Sequence, residues 1–185
     1  MTNLFKRIIG SRYFLATILA LFTLHGICTA TTIKYGIPAD EVYHYQLTNL
    51  YAQRSLTAGP VIKDQGASTF YLGDLQQEPN FLYHYLLSFP LKTFHTLGGS
   101  EQNDVLFLRL VNLLIAIGSL LLLVRVIRNI GGSSALANAT VFLTALTGLF
   151  AWISAAINYD NLSILLFFGL LLYLIKFLKQ RRFND

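Results

Sequence analysis

The sequence predicts an all-α integral membrane protein, with four transmembrane helices and two interfacial amphipathic helices in a long first outer loop. Three observations predict it. Hydrophobic residues fill 54% of the 185 positions and charged residues only 12%, whereas soluble domains are about one quarter charged. Four apolar stretches approach the length of about 20 residues that spans a bilayer core. The basic residues flank these stretches asymmetrically, as cytoplasmic loops do. The composition excludes a disordered chain, a collagen-like chain and most soluble enzymes. The single cysteine, Cys28, excludes an intramolecular disulfide framework and a cysteine-based zinc site.

Residues 1–12 read as a cytoplasmic N-terminus carrying Lys6, Arg7 and Arg12, and 13–33 as the first span. A basic segment, the run Leu15–Leu24 and small residues at Cys28-Thr29-Ala30 also fit a cleavable signal peptide. The apolar character continuing to Ile33 favours an uncleaved anchor. Residues 105–124 form the second span, 136–157 the third and 162–178 the fourth, with 179–185 as a cytoplasmic tail. The link Asn158-Tyr159-Asp160-Asn161 fits only a tight hairpin.

Nine of the fourteen Lys and Arg residues (Lys6, Arg7, Arg12, Arg125, Arg128, Lys176, Lys179, Arg181, Arg182) fall on one side if four spans are drawn. Eight of the nine acids fall on the other. Both termini are therefore expected in the cytoplasm; the membrane itself is expected to be a bacterial inner or plasma membrane. The pI near 9.4 reflects membrane anchoring, with no nucleic-acid partner expected.

Residues 34–104 make the one large outer loop, too short for an independent core. Helices are expected near 40–56, with Val42, Leu47, Leu50 and Tyr51 apolar, and near 79–97, started by Pro79. In the second, Phe81, Tyr85 and Phe89 recur every four residues beside Leu82 and Leu86. Such Tyr- and Phe-rich helices suit the membrane interface. Thr57–Gln77 reads as an irregular loop, and the tripeptide Tyr-His-Tyr occurs at both 43–45 and 83–85.

Four features could carry chemistry. Asp40 and Glu41 lie just beyond the first span; carboxylates at a low-dielectric edge can act as general bases. Equally, Asp40 fits an N-cap and Glu41 a first-turn acid. Glu78 precedes the second loop helix, with His84 six residues later. A divalent metal held by His44, His84 and nearby acids is chemically compatible, but no fixed ligand spacing supports it. Asp160 sits at the hairpin tip, where it is either a turn residue or part of a site. Arg109, about one turn into the second span, suits pairing with an acid, snorkelling or holding an anionic head group. Together these put acids, histidines and an arginine beside interfacial aromatics on one face, which suits a substrate with a lipid tail and an anionic head.

The order of these motifs resembles the GT-C glycosyltransferases, in the branch of protein O-mannosyltransferases and lipid A aminoarabinose transferases. Asp40-Glu41-Val42-Tyr43-His44-Tyr45 is similar to the family's Asp-Glu and aromatics in the first outer loop. Glu78-Pro79-Asn80-Phe81-Leu82-Tyr83-His84-Tyr85 is similar to its proline-containing segment, with Asn80 replacing the second proline. Leu108-Arg109-Leu110, the basic pair Arg125 and Arg128, and Asp160 before Leu162 are similar to its next two helices. The resemblance implies transfer of a sugar from a polyprenyl-phosphate donor at the outer face. Asp40 is then the base toward an acceptor hydroxyl. Glu41, Glu78, His84 and Asp160 shape the site, and Arg109 helps neutralise the donor phosphate. Members of that family have many more spans, so the chain is expected to be an N-terminal portion, to complete its site with a second membrane subunit, or to be a non-catalytic scaffold that docks a larger membrane protein.

Overall fold

The computed structural model describes residues 2–38, 40–53 and 81–181, and every element among them is helical. The irregular loop expected at Thr57–Gln77, and Glu78 and Pro79 with it, lie outside the described residues. The helices are α1 (Thr2–Ile9), α2 (Arg12–Thr32), α3 (Glu41–Gln53), α4 (Phe81–Thr96), α5 (Asp104–Asn129), α6 (Ser134–Leu146), α7 (Gly148–Ser154) and α8 (Asp160–Arg181). A single 3₁₀ turn, Glu101–Asn103, leads into α5.

Local chemistry sets several of the boundaries. Ser11 opens α2 and Ser133 opens α6, each accepting a first-turn N–H through its hydroxyl. At the end of α5, Gly131 takes φ +94° and Gly132 N–H bonds back to the Ile127 carbonyl, a glycine stop that satisfies a terminal carbonyl.

Helices α2, α5 with its preceding turn, and α8 are each long and apolar enough to cross a membrane. α5 is the hub: α2, α4, α6, α7 and α8 all pack against it. Its inner face supplies Leu113, Ala116, Leu120, Leu123 and Ile127 to a core shared with Ile18 and Phe22 of α2 and Ala137 and Val141 of α6. Gly26 of α2 lets α5 approach closely, because a Cβ there would sit 2.4 Å from the buried Leu113 side chain. Gly26→Val is therefore expected to cost about 1–3 kcal/mol through overpacking. Unfolding of the purified protein by SDS titration would check this.

The stretch expected to be one span at 136–157 is instead two helices, bent by 74° between α6 and α7. Its cause is local. Thr147 leaves helical geometry (φ −67°, ψ 114°) and precedes a glycine with no Cβ to hold the helix in line. Thr140, Thr144 and Thr147 also bond their hydroxyls to carbonyls four residues back, a habit that bends helices. Candidate spans therefore number three, or four if the bent pair is one span.

The α3–α4 pair lies over the ends of this bundle. The apolar stripe expected to define α4 is mostly outward: Leu82, Leu86 and Phe89 are exposed, while Tyr83, Leu87 and Leu91 are buried. Both faces of α4 are apolar, so periodicity alone does not distinguish the core face from the exposed one. The N-terminal segment 1–12, for which no element is expected from the sequence, contains helix α1.

Candidate functional site

The chain turns from α2 into α3 through Pro38 and Asp40. Asp40 is the one non-glycine residue with positive φ (59°) among those described, a conformation Asp tolerates better than most residues. Its carbonyl accepts the His44 N–H at 2.9 Å and so opens α3. Its side chain is exposed and accepts no hydrogen bond from the described residues. Asp40 thus occupies the capping position through its backbone while its carboxylate points to solvent.

Glu41, the next residue, is completely buried. Its Oε1 and Oε2 accept from Nε and Nη2 of Arg109, both at 2.7 Å, the bidentate geometry of a strong charge-assisted pair. Oε1 also accepts the Ile157 N–H at 3.3 Å, and Oε2 the Gly36 N–H at 3.4 Å. Arg109 Nη1 donates to the carbonyls of Ala30 and Ile33, both at 2.8 Å. Those carbonyls end α2 and would otherwise lack donors. One ion pair therefore ties the end of α2, the start of α3, α5 and the link between α7 and α8. Of the three roles open to Arg109, pairing with an acid is the observed one.

The two Tyr-His-Tyr tripeptides meet across α3 and α4. His44 Nδ1 and His84 Nε2 are 2.9 Å apart, and their rings stack with centroids 5.2 Å apart. Tyr43 meets His84 edge-on and Tyr83 meets His44 edge-on, each at 6.0 Å. Both histidines are buried. A hydrogen bond between two imidazoles needs one donor and one acceptor, so the contact holds a single proton.

Below this pair, Tyr83 donates its hydroxyl to Asn112 Oδ1 at 2.9 Å, and Asn161 Nδ2 donates to the same oxygen at 3.0 Å. Burial pushes the Tyr83 phenol well above its ordinary range. Asp160 is partly exposed as the first residue of α8, its N–H held by the Asn158 side chain at 2.8 Å.

A second buried acid, Asp104, ties the first half of α3 to the last turn of α4. It meets His95 Nε2 at 2.7 Å and accepts the Tyr45 hydroxyl at 3.2 Å. Burial, then the Asp104 charge, raises the Tyr45 phenol from 10.0 to about 12. The folded state therefore holds this proton more tightly than the unfolded chain. Its contribution to stability is intact below about pH 10 and is lost as pH rises toward about 12. Tyr45→Phe is expected to flatten that part of the alkaline fall, measured as thermal midpoint against pH in detergent.

An apolar groove of about 550 Å³ runs between α2 and the bent pair α6–α7. Ile18, Phe22, Phe142 and Trp152 line it, His25 and Thr29 add polar atoms, and Ile33, just past the end of α2, lines it as well. Both arms of the bent pair contribute to it, Phe142 and Leu146 from α6 and Gly148 and Trp152 from α7.

Among the sequence candidates, the structure links Glu41 and Arg109 directly and places Asp40 one residue away. It buries His84 against His44 and sets Asp160 at the start of α8; Glu78 is outside the described residues. No group of three or more His, Cys, Asp or Glu side chains gathers for a metal among the described residues. Sequence reasoning missed Asn112, Asn161 and Asp104. The signal for Asn112 was its place as a polar residue inside an apolar span, and for Asn161 its place in the polar link before the last span. No protein-family model, curated protein or solved structure matches this chain.

Proposed function

We propose that this chain is a membrane glycosyltransferase, or the N-terminal portion of one, acting on a polyprenyl-phosphate sugar at the outer face of a bacterial inner or plasma membrane. Both termini are then cytoplasmic. The position of Asp40 is the observation that carries the reading. Its carboxylate is exposed in a left-handed turn, next to Glu41, which connects through Arg109 to the carbonyl of Ile33, a residue that lines the apolar groove. An isoprenoid tail fits such a groove, whose volume is typical of ligand sites. The phosphosugar then lies near Asp40.

In this reading the Asp40 carboxylate takes the proton of an acceptor hydroxyl as that oxygen bonds to the anomeric carbon. The anomeric C–O bond to phosphate breaks, and polyprenyl phosphate leaves with its electron pair. Glu41 and Arg109 act by holding this geometry, since the guanidinium makes four hydrogen bonds inside the protein. The test is sugar transfer by membranes carrying Asp40→Asn protein; transfer at the wild-type rate would sink the proposal.

A second reading rests on α8, whose Leu166, Phe167, Leu170 and Tyr173 are all more than half exposed. That face suits lipid, and it equally suits the helices of a larger membrane protein that this chain serves as an accessory subunit. Co-purification of a specific membrane partner, lost on Leu166→Ser/Leu170→Ser, would favour it.

A further inference from the structure

Helix α1 has two opposed faces. Leu4, Phe5 and Ile8 form one stripe and are 66%, 66% and 53% exposed. Lys6 and Arg7 lie on the other side of the same helix. α1 is nevertheless held in place. Asn138 of α6 donates to the carbonyls of Ile9 and Ser11 at 2.6 and 3.0 Å. Gly10 brings the corner close to α6: a Cβ there would lie 3.0 Å from the Lys6 carbonyl oxygen and 3.3 Å from Ala135 N.

The same corner gathers cations. Arg12 opens α2 and lies 5.1 Å above the Tyr13 ring. Arg128 donates to the Ser134 hydroxyl, and Ser134 Cβ is 3.6 Å from the position a Gly10 Cβ would take. No acid occurs in residues 1–39 or 105–159 to neutralise them. An exposed apolar stripe beside an uncompensated basic cluster, at the end of a helix long enough to span, matches the interface of an anionic bilayer.

We infer that α1 is an interfacial anchor for anionic phospholipid: Leu4, Phe5 and Ile8 enter the acyl boundary, while Lys6, Arg7, Arg12 and Arg128 engage lipid phosphates. The inference rests on α2 crossing a bilayer and is independent of sugar transfer. Cys28 is the single cysteine, so a Cys28→Ser background allows one nitroxide label at Ile8→Cys of the full chain. The protein is reconstituted in phosphatidylcholine vesicles with or without phosphatidylglycerol.

With phosphatidylglycerol, the label is expected to meet oxygen more often than an aqueous nickel chelate, as a buried probe does. Adding Lys6→Gln/Arg7→Gln is expected to lower the ratio of inserted to lifted α1 about 30-fold, at about fivefold per cation. High salt should weaken insertion of the wild-type helix in the same direction. A label that stays water-exposed in phosphatidylglycerol vesicles overturns the inference, and so does insertion equally deep in the charge variant.

Discussion

Arg109→Ala is expected to destabilise the protein by about 3–5 kcal/mol, the range for removing one partner of a buried ion pair. The cost arises because Glu41 is completely buried and would keep a carboxylate with only two long backbone contacts. The carbonyls of Ala30 and Ile33 would lose their donor as well. SDS-induced unfolding of detergent-purified protein measures the change. The paired variant Glu41→Leu/Arg109→Met should recover much of the loss, because apolar side chains of similar volume need no partner. A double-mutant cycle over the two positions gives the coupling directly. Arg109→Ala protein within about 0.5 kcal/mol of wild type, the scale of an ordinary surface change, would show that the pair does not hold these four elements together.

Asp40→Asn is expected to lower sugar transfer by about 10²–10⁴-fold, the usual contribution of a general base, with folding unchanged. Asparagine is the informative replacement, because it tolerates the left-handed backbone that Asp40 adopts at φ 59°. Alanine would strain that turn and confuse lost chemistry with a shifted loop. Glu41→Gln provides the contrast. Glu41 lies inside the protein on Arg109, so this change should show first as instability. A stable, inactive Glu41→Gln protein beside a fully active Asp40→Asn protein would transfer the base role to Glu41 and refute the assignment.

The helices were largely legible. Apolar runs near the length of a bilayer core announced α2, α8 and the start of α5, which continues to Asn129 beyond the expected end at 124, because length and composition alone decide whether a helix can span. The loop helices were legible through the apolar positions Val42, Leu47, Leu50 and Tyr51 and the repeated aromatics Phe81, Tyr85 and Phe89. The break between α6 and α7 was harder to see, since Thr147 and Gly148 also occur inside continuous membrane helices. Which side of α4 is buried was not legible either. Leu82, Leu86 and Phe89 make as good a stripe as Tyr83, Leu87 and Leu91, and only packing on α3 and α5 separates them.

The candidate site divides in the same way. Asp40, Glu41, His84 and Arg109 stood out as polar residues beside apolar spans, and the Tyr-His-Tyr repeat was visible as a repeat. That Glu41 reaches Arg109 across 68 positions of sequence, and His44 reaches His84 across 40, has no local signature. Adjacent acids are equivalent in sequence, yet the turn at Asp40 sends one carboxylate outward and the next inward. By itself, then, the sequence determined a helical chain with apolar helices of bilayer length and basic residues clustered near their ends, because solvation of side chains is a property of composition and order. Only the tertiary structure decided which polar groups are paired and which is left exposed, because burying a charge is tolerable only where a distant part of the chain supplies its partner.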